Sequence, residues 1–409
     1  MKNTIAENIG NAPKLEELYR SDPREFEKAF QEIAPECDSE LVRFWILRLQ
    51  AGKSKPEGSL TAGGWLQTLG ICLLTALLAM IPAIFHKVDP DLFYIRDLPV
   101  VIFNGLILAA LFQMKPFSAG KWAFYAGSLS ILILFVNLLP TGLLDTVNIA
   151  LIHSPVLLTG IFGLAYISFR WKDLEKRISF VRFAGELVIM TGLLLLAGGL
   201  MSAITIGLFA ALKMDITRFY MEWLAIPGAA ASPVVAWFLI RQYPDITRKI
   251  APVIARIFTP LVMVTLAVYL VYLLQSVSNL IDDRNSLILF NGVLLAVVLI
   301  ITFAVTELGR RTYHRFEVSA LFVLAILAII INLIALWAII WRITGGLTPN
   351  RFAVLTTNLI IFVHLILLAR RLFLAGFRGK STGKVSGIVA AYLPVYAVWV
   401  VIAVFVLPF

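Results

Sequence analysis

Polar residues dominate this chain only up to about position 60. Beyond it they shrink to short loops between apolar stretches of roughly 17 to 25 residues. A bilayer core about 30 Å thick takes about 20 helical residues to cross. The pattern therefore predicts an all-α fold: a polytopic transmembrane helix bundle over 61–409, preceded by a small helical polar module over 1–60. Eleven apolar spans can be drawn, at about 64–85, 98–114, 121–140, 146–168, 183–212, 217–240, 256–278, 286–308, 316–341, 352–369 and 385–407.

The charges left in the loops order these spans. With the N-terminus in the cytoplasm, the inner loops hold Lys115 and Lys121; Arg170, Lys172, Lys176, Arg177 and Arg182; Arg241, Arg248, Lys249 and Arg256; Arg310, Arg311 and Arg315; and Arg370, Arg371, Arg378, Lys380 and Lys384. The outer loops hold Lys87, Arg96, Lys213, Arg218, Arg284, Arg342 and Arg351. Nineteen cations against seven, alternating loop by loop, is a positive-inside bias. It predicts a cytoplasmic N-terminus and a C-terminus outside.

Residues 1–60 carry nine Lys/Arg against eleven Asp/Glu. Asp22-Pro23-Arg24-Glu25 reads as a helix start: Asp22 caps, and Pro23 fits the first turn, where its missing N–H costs nothing. Phe26, Phe30 and Ile33 then share one helical face, as Leu15, Leu18 and Tyr19 do upstream. A third helix, about Ser39 to Gln50, is apolar on most sides, with Leu41, Val42, Phe44, Trp45, Leu47 and Leu49. Such a module serves either as a helical cap on the membrane domain or as a docking site for a protein partner. Lys53 to Gly58 reads as its linker. The first apolar span begins only near Gly64, unlike a cleaved secretory signal, so it is expected to stay as an anchor.

Composition sharpens the class more than the activity. The chain is 60% hydrophobic and 15% charged, more apolar surface than one soluble core can hide, so lipid is the expected cover. Its net charge of +10 invites a nucleic-acid reading, but the cations sit in short loops beside apolar spans. Their expected partners are anionic lipid head groups, and nucleic acid is not expected. Cys37 and Cys72 form neither a disulfide framework nor a CxxC site. No HExxH, GxSxG, Walker or GxGxxG pattern stands in a suitable context, and His86, His153, His314 and His364 lack ligand spacing. No catalytic residue, metal or cofactor is expected.

Binding candidates come from polar groups and helix breakers inside the spans. The sixth span contains Ile226-Pro227-Gly228-Ala229-Ala230-Ala231-Ser232-Pro233. Such a run either breaks the helix beside a cavity or kinks it so that a neighbour packs closely. Glu222 and His153 lie at similar depth from the outer side and, with Arg218 and Asp215, are candidates for an outward polar pocket. Alternatively, Glu222 pairs with Arg218 at i, i+4 and does nothing else. Glu186, Glu307 and Glu317 sit near arginines at span ends and read as interfacial ion pairs. His364, with Asn358 and Asn332 near the same level, offers interhelical hydrogen bonds or a proton relay. In the turn Trp341 to Arg351, Gly345-Gly346 stops one helix and Thr348-Pro349 starts the next. Arg342 and Arg351 then either clamp an anion or anchor the helix ends by snorkelling.

That turn, Arg342-Ile343 followed by Gly346-Leu347-Thr348-Pro349-Asn350-Arg351, resembles a hairpin of a bacterial multi-pass membrane family, domain of unknown function 4153. Tyr392-Leu393-Pro394-Val395-Tyr396-Ala397-Val398-Trp399 is similar to that family's ending, and Phe44-Trp45-Ile46-Leu47-Arg48-Leu49 to relatives with a polar leader. The resemblance implies a bacterial cytoplasmic (inner) membrane and carries no activity with it. Three functional classes stay open at this point: a permease for a small solute or ion; a membrane sensor, scaffold or accessory subunit; and a membrane-embedded enzyme acting on a lipid-linked substrate.

Overall fold

The computed structural model describes residues 1–34, 39–53, 62–113, 118–141, 145–244, 259–271, 284–308, 315–378 and 383–409. Residues 54–58 of the expected linker, Cys37, and the loop cations Lys115, Arg248, Lys249, Arg256, Arg310, Arg311 and Lys380 lie outside them, as does His314. Every regular element among the described residues is a helix. The chain divides into two compact units, Met1–Thr61 and Ala62–Phe409.

The first unit holds α1 (Lys2–Glu7), α2 (Ala12–Ser21), α3 (Pro23–Ile33) and α4 (Glu40–Lys53). Short polar side chains start three of them: Asn11 accepts from Lys14 N, Asp22 from Glu25 N at 3.0 Å, and Ser39 from Val42 N. Each satisfies an N–H that the helix itself leaves unbonded. The core closes on Trp45, which Phe26 approaches at 5.0 Å, Tyr19 at 5.4 Å and Phe30 at 6.2 Å. α4, apolar on most sides, buries Val42, Trp45 and Leu49 and leaves Phe44 and Leu47 exposed.

The second unit runs α5 (Ala62–Ala79), α6 (Ile81–Ile84), α7 (Pro90–Arg96), α8 (Leu98–Gln113), α9 (Ala119–Leu138), α10 (Asp145–Tyr166), α11 (Leu174–Ala211), α12 (Thr217–Gln242), α13 (Thr259–Val271), α14 (Arg284–Leu308), α15 (Arg315–Ile343), α16 (Pro349–Phe377) and α17 (Gly383–Phe405). Among the described residues seven helices are long and apolar enough to cross a membrane: α9, α10, α11, α12, α15, α16 and α17. The pair α7–α8, bent by 45°, makes an eighth if taken as one span. The other three expected crossings fall on shorter apolar segments, Gly64–Ala79, Thr259–Val271 and Asn291–Glu307.

Backbone chemistry explains where helices depart from the expected spans. The first expected span, 64–85, is two helices, because Pro82 has no N–H to give the Leu78 carbonyl and the chain turns at Met80. α11 begins nine residues before its expected start: Asp173 accepts from Lys176 N at 3.2 Å and caps a charged first turn.

Two large apolar clusters hold most of this unit's buried side chains. One joins α5, α8, α9, α10, α11 and α12 around Leu132, Leu158, Phe162 and Trp237. The other joins α13 to α17 around Ile301, Leu324, Ala328, Leu365 and Leu372. α17 serves both, with Val385 and Val389 in the second cluster and Val400 and Val404 in the first. α11 also crosses the seam: Gly185 lies so close to the Phe303 ring of α14 that a methyl group there would overlap it. Beside this contact Arg182 donates to the Thr306 carbonyl at 2.9 Å and meets Glu307 at 3.3 Å. Glu307, read from the sequence as half of an ion pair, has Arg182 as its partner and is buried between two helices. Another arginine does structural work at the far end of α9: buried Arg96 donates to the carbonyls of Val136 (2.9 Å), Leu139 (3.0 Å) and Pro140 (2.9 Å).

Candidate functional site

The prolines of the sixth span do not break the helix. α12 runs from Thr217 to Gln242, with one π-helical turn at Met221–Ala225 just before Pro227. A π turn absorbs one residue of helical register, which lets the following segment open on proline. Deeper in, Pro233 frees the Ala229 carbonyl, and the Ser232 hydroxyl takes it up at 2.8 Å. The same Ser-Pro device serves α10, where Ser154 donates to the Leu151 carbonyl at 3.0 Å, freed by Pro155. Pro227, Ala230, Ala231 and Ser232 are buried and Gly228 faces outward. Of the two readings of this run, the broken helix is not found: α12 is continuous, and the carbonyl that Pro233 frees is already bonded.

The outward pocket expected from Glu222, Arg218, His153 and Asp215 does not assemble as a unit. Arg218 Nε donates to Glu222 Oε1 at 2.8 Å, an exposed i, i+4 pair. Asp215 instead accepts from the Thr217 N–H at 3.0 Å; that bond and one from the Thr217 hydroxyl hold its carboxyl below the usual range. His153 bonds back to its own helix, Nδ1 to the Ile149 carbonyl at 2.8 Å, and its ring meets Trp399 of α17 at 6.4 Å.

In the α15–α16 hairpin, Thr348 accepts from Arg351 N and Gly346 sits at φ +115°, as the turn requires. Arg351 folds back to donate to the Gly346 carbonyl at 2.6 Å, so its guanidinium braces the turn. Arg342 is partly exposed on the opposite shoulder.

A polar layer does assemble farther along the hairpin. Counting 1.5 Å per residue from the turn, Asn358 lies about 13 Å in, Asn332 about 16 Å and His364 about 22 Å. Asn358 donates to Asn291 of α14 at 3.0 Å. His364 Nδ1 is 2.9 Å from the Tyr396 hydroxyl, and its ring lies nearly parallel to Tyr392, 4.6 Å between centroids. Tyr392 is held in turn by donating to the Ile360 carbonyl at 2.9 Å, and Trp399 by donating to Thr357 at 2.9 Å. The layer keeps bonding capacity in reserve. Asn332 is fully buried with neither amide atom bonded, and His364, 2% exposed, has an unbonded Nε2, among the described residues. Beside it an open apolar groove of about 430 Å³ runs between Ile360, Pro394, Val398, Trp399 and Ile402. Leu393, which precedes Pro394, brings no hydroxyl of the kind that takes up the freed carbonyl in α10 and α12.

Of the residues singled out from sequence, Asn332, Asn358 and His364 enter this layer. Its other members, Tyr392, Tyr396, Asn291, Thr357 and Trp399, escaped that reading. Aromatic residues in an apolar span look like lipid-facing or core positions, and only the packing of α17 on α16 pairs them with His364. The spacing Tyr392, Tyr396, Trp399 (i, i+4, i+7) does place three polar-tipped aromatics on one helical face, and that signal was available. Among the described residues no group of three or more His, Cys, Asp or Glu side chains stands in metal-binding proximity. No family model, curated protein or solved structure matches this chain.

Proposed function

We propose that this is a permease-like membrane protein that passes a small solute or ion, with its path through the α14–α17 lobe rather than along α12. The observation that carries this reading is the unused bonding capacity of Asn332 and His364, midway along helices suited to a bilayer. A buried amide left without a partner costs about 1–3 kcal/mol, and hydrocarbon offers no partner. Water or a polar solute at this level removes the cost. In the same reading the chain crosses the bilayer eleven times, with its N-terminus in the cytoplasm and its C-terminus outside. The loop cations support this orientation, and the hairpin's likeness to a bacterial family supports a bacterial cytoplasmic membrane.

Aqueous access to the layer tests the proposal. In a chain whose Cys37 and Cys72 are replaced by serine, Asn332→Cys and Asn358→Cys should react with a membrane-impermeant thiol reagent applied to sealed vesicles from one side or the other. If neither reacts while Gln31→Cys on the exposed face of α3 does, the path is not there.

A second reading, a docking or accessory subunit, draws on the exposed Phe44 and Leu47 of α4. In a unit this small, two large apolar side chains left outside a complete aromatic core suit a protein partner. Pull-down by the wild-type chain and its loss in Phe44→Ser/Leu47→Ser would favour that reading. Among the described residues, no cluster of three or more His, Cys, Asp or Glu side chains stands behind the enzyme reading.

A further inference from the structure

We propose that the species accepted at the polar layer is the proton, taken up by His364 at Nε2 and passed to Tyr396; this rests on the permease reading above. At this depth His364 is the side chain with one nitrogen able to accept a proton and another able to donate one; amides do not take up a proton, and a tyrosine hydroxyl relays one by giving up its own. The groups facing it from each packed helix leave that role uncontested. On α17 the titratable residues are Tyr392, Tyr396 and, at the helix start, Lys384; α15 offers none between Glu317 and Arg342, and α14 none between Arg284 and Glu307. α10 brings Asp145, His153 and Tyr166, and α13, in the same core, Tyr269. On α16 itself Arg351 lies at the turn, and Arg370 and Arg371 stand six and seven residues beyond the histidine.

The surroundings suit a histidine that is charged only in passing. Tyr396 fixes Nδ1 at 2.9 Å, which aims Nε2 away from the tyrosine as an unbonded atom. The Tyr392 ring, parallel at 4.6 Å, offers its π face to the imidazolium once it forms. In the step itself, a proton from water binds the Nε2 lone pair. Nδ1–H then passes its proton to the Tyr396 oxygen while that hydroxyl releases its own proton to a water molecule beyond. One proton enters and one leaves; only N–H and O–H bonds change, and no redox partner is needed.

The test uses the full-length protein in phosphatidylethanolamine/phosphatidylglycerol vesicles loaded with a pH-sensitive dye, with a potassium diffusion potential driving proton entry. Wild-type vesicles should acidify well above protein-free ones. Folded His364→Gln should lose at least about tenfold of that rate, and Tyr396→Phe, which removes only a hydroxyl, several-fold. Wild-type flux no greater than that of empty vesicles overturns the proton assignment; the permease reading still stands if the thiol reagent reaches Asn332→Cys or Asn358→Cys, and falls with it if it reaches neither. Flux at the wild-type rate in folded His364→Gln overturns the assignment as well. Should that variant fail to fold, wild-type flux in folded Tyr396→Phe does the same.

Discussion

Replacing Arg96 by alanine should be among the most damaging single changes in the membrane-domain helices. Its guanidinium holds three carbonyls at the end of α9, all within 3.0 Å, from a site only 5% exposed. A hydrogen bond involving a charged group contributes about 1.5–3 kcal/mol, so three give an upper limit of roughly 5–9 kcal/mol. Water reaching the exposed Pro140 offsets part of this, and the favourable charge at a helix C-terminus adds about 0.3–1 kcal/mol. The expected cost is roughly 3–5 kcal/mol. Lysine should recover part of it, because one ammonium has three donors but cannot span three carbonyls in a plane. Equilibrium unfolding in mixed micelles, read by SDS titration, would give the difference directly. The neighbouring tie from Asn137 to Asp97 at 2.7 Å provides a double-mutant cycle, and Arg96→Ala/Asn137→Ala should be non-additive. A cost under about 1 kcal/mol for Arg96→Ala would refute the capping argument.

Three further outcomes follow from contacts elsewhere. Gly185→Ala should destabilise by about 1–3 kcal/mol through overlap with Phe303, and Phe303→Leu should partly rescue it; the same titration reads both. Arg182→Met alone should cost roughly 3–5 kcal/mol by leaving Glu307 buried without its arginine, whereas Arg182→Met/Glu307→Leu should come close to neutral; equal losses in both would argue against a paired charge. In the first unit, a hydrogen bond from Arg48, and then one from Arg20, hold the Glu16 carboxyl below its ordinary range. Its folded value lies below the unfolded one, so the stabilisation is present above about pH 4.3 and is lost as pH falls through the folded value. The protection of amides in α2 and α4, taken relative to their intrinsic exchange at each pH, should therefore fall on acidification. Glu16→Gln should flatten that dependence.

The candidate site was legible only in part, and the residues show why. Asn358 and His364 stood out because a polar group in an apolar run is conspicuous whatever it touches. Glu222 and Arg218 stood out for the same reason, yet an i, i+4 spacing sufficed to pair them locally. Pro227 and Pro233 announced freed carbonyls, but whether a serine one residue earlier takes such a carbonyl depends on rotamer and neighbours. Arg96 read as an outer-loop cation until the fold brought the end of α9 to it, forty residues farther along the chain.

Local chemistry written along the chain determined that this protein is helical, that long apolar helices dominate it, and where capping residues such as Asp22 and Thr348 start a helix. Hydrophobic run length and backbone capping act within a few residues, so the order of side chains states them directly. Tertiary structure alone decided that α17 joins both apolar clusters, that Gly185 lets α11 close on α14, and that His364 meets two tyrosines. Those contacts connect positions 28 or more residues apart. Helices that are apolar on nearly every side carry no stripe to say which face meets which neighbour, so only the packed bundle supplies that choice.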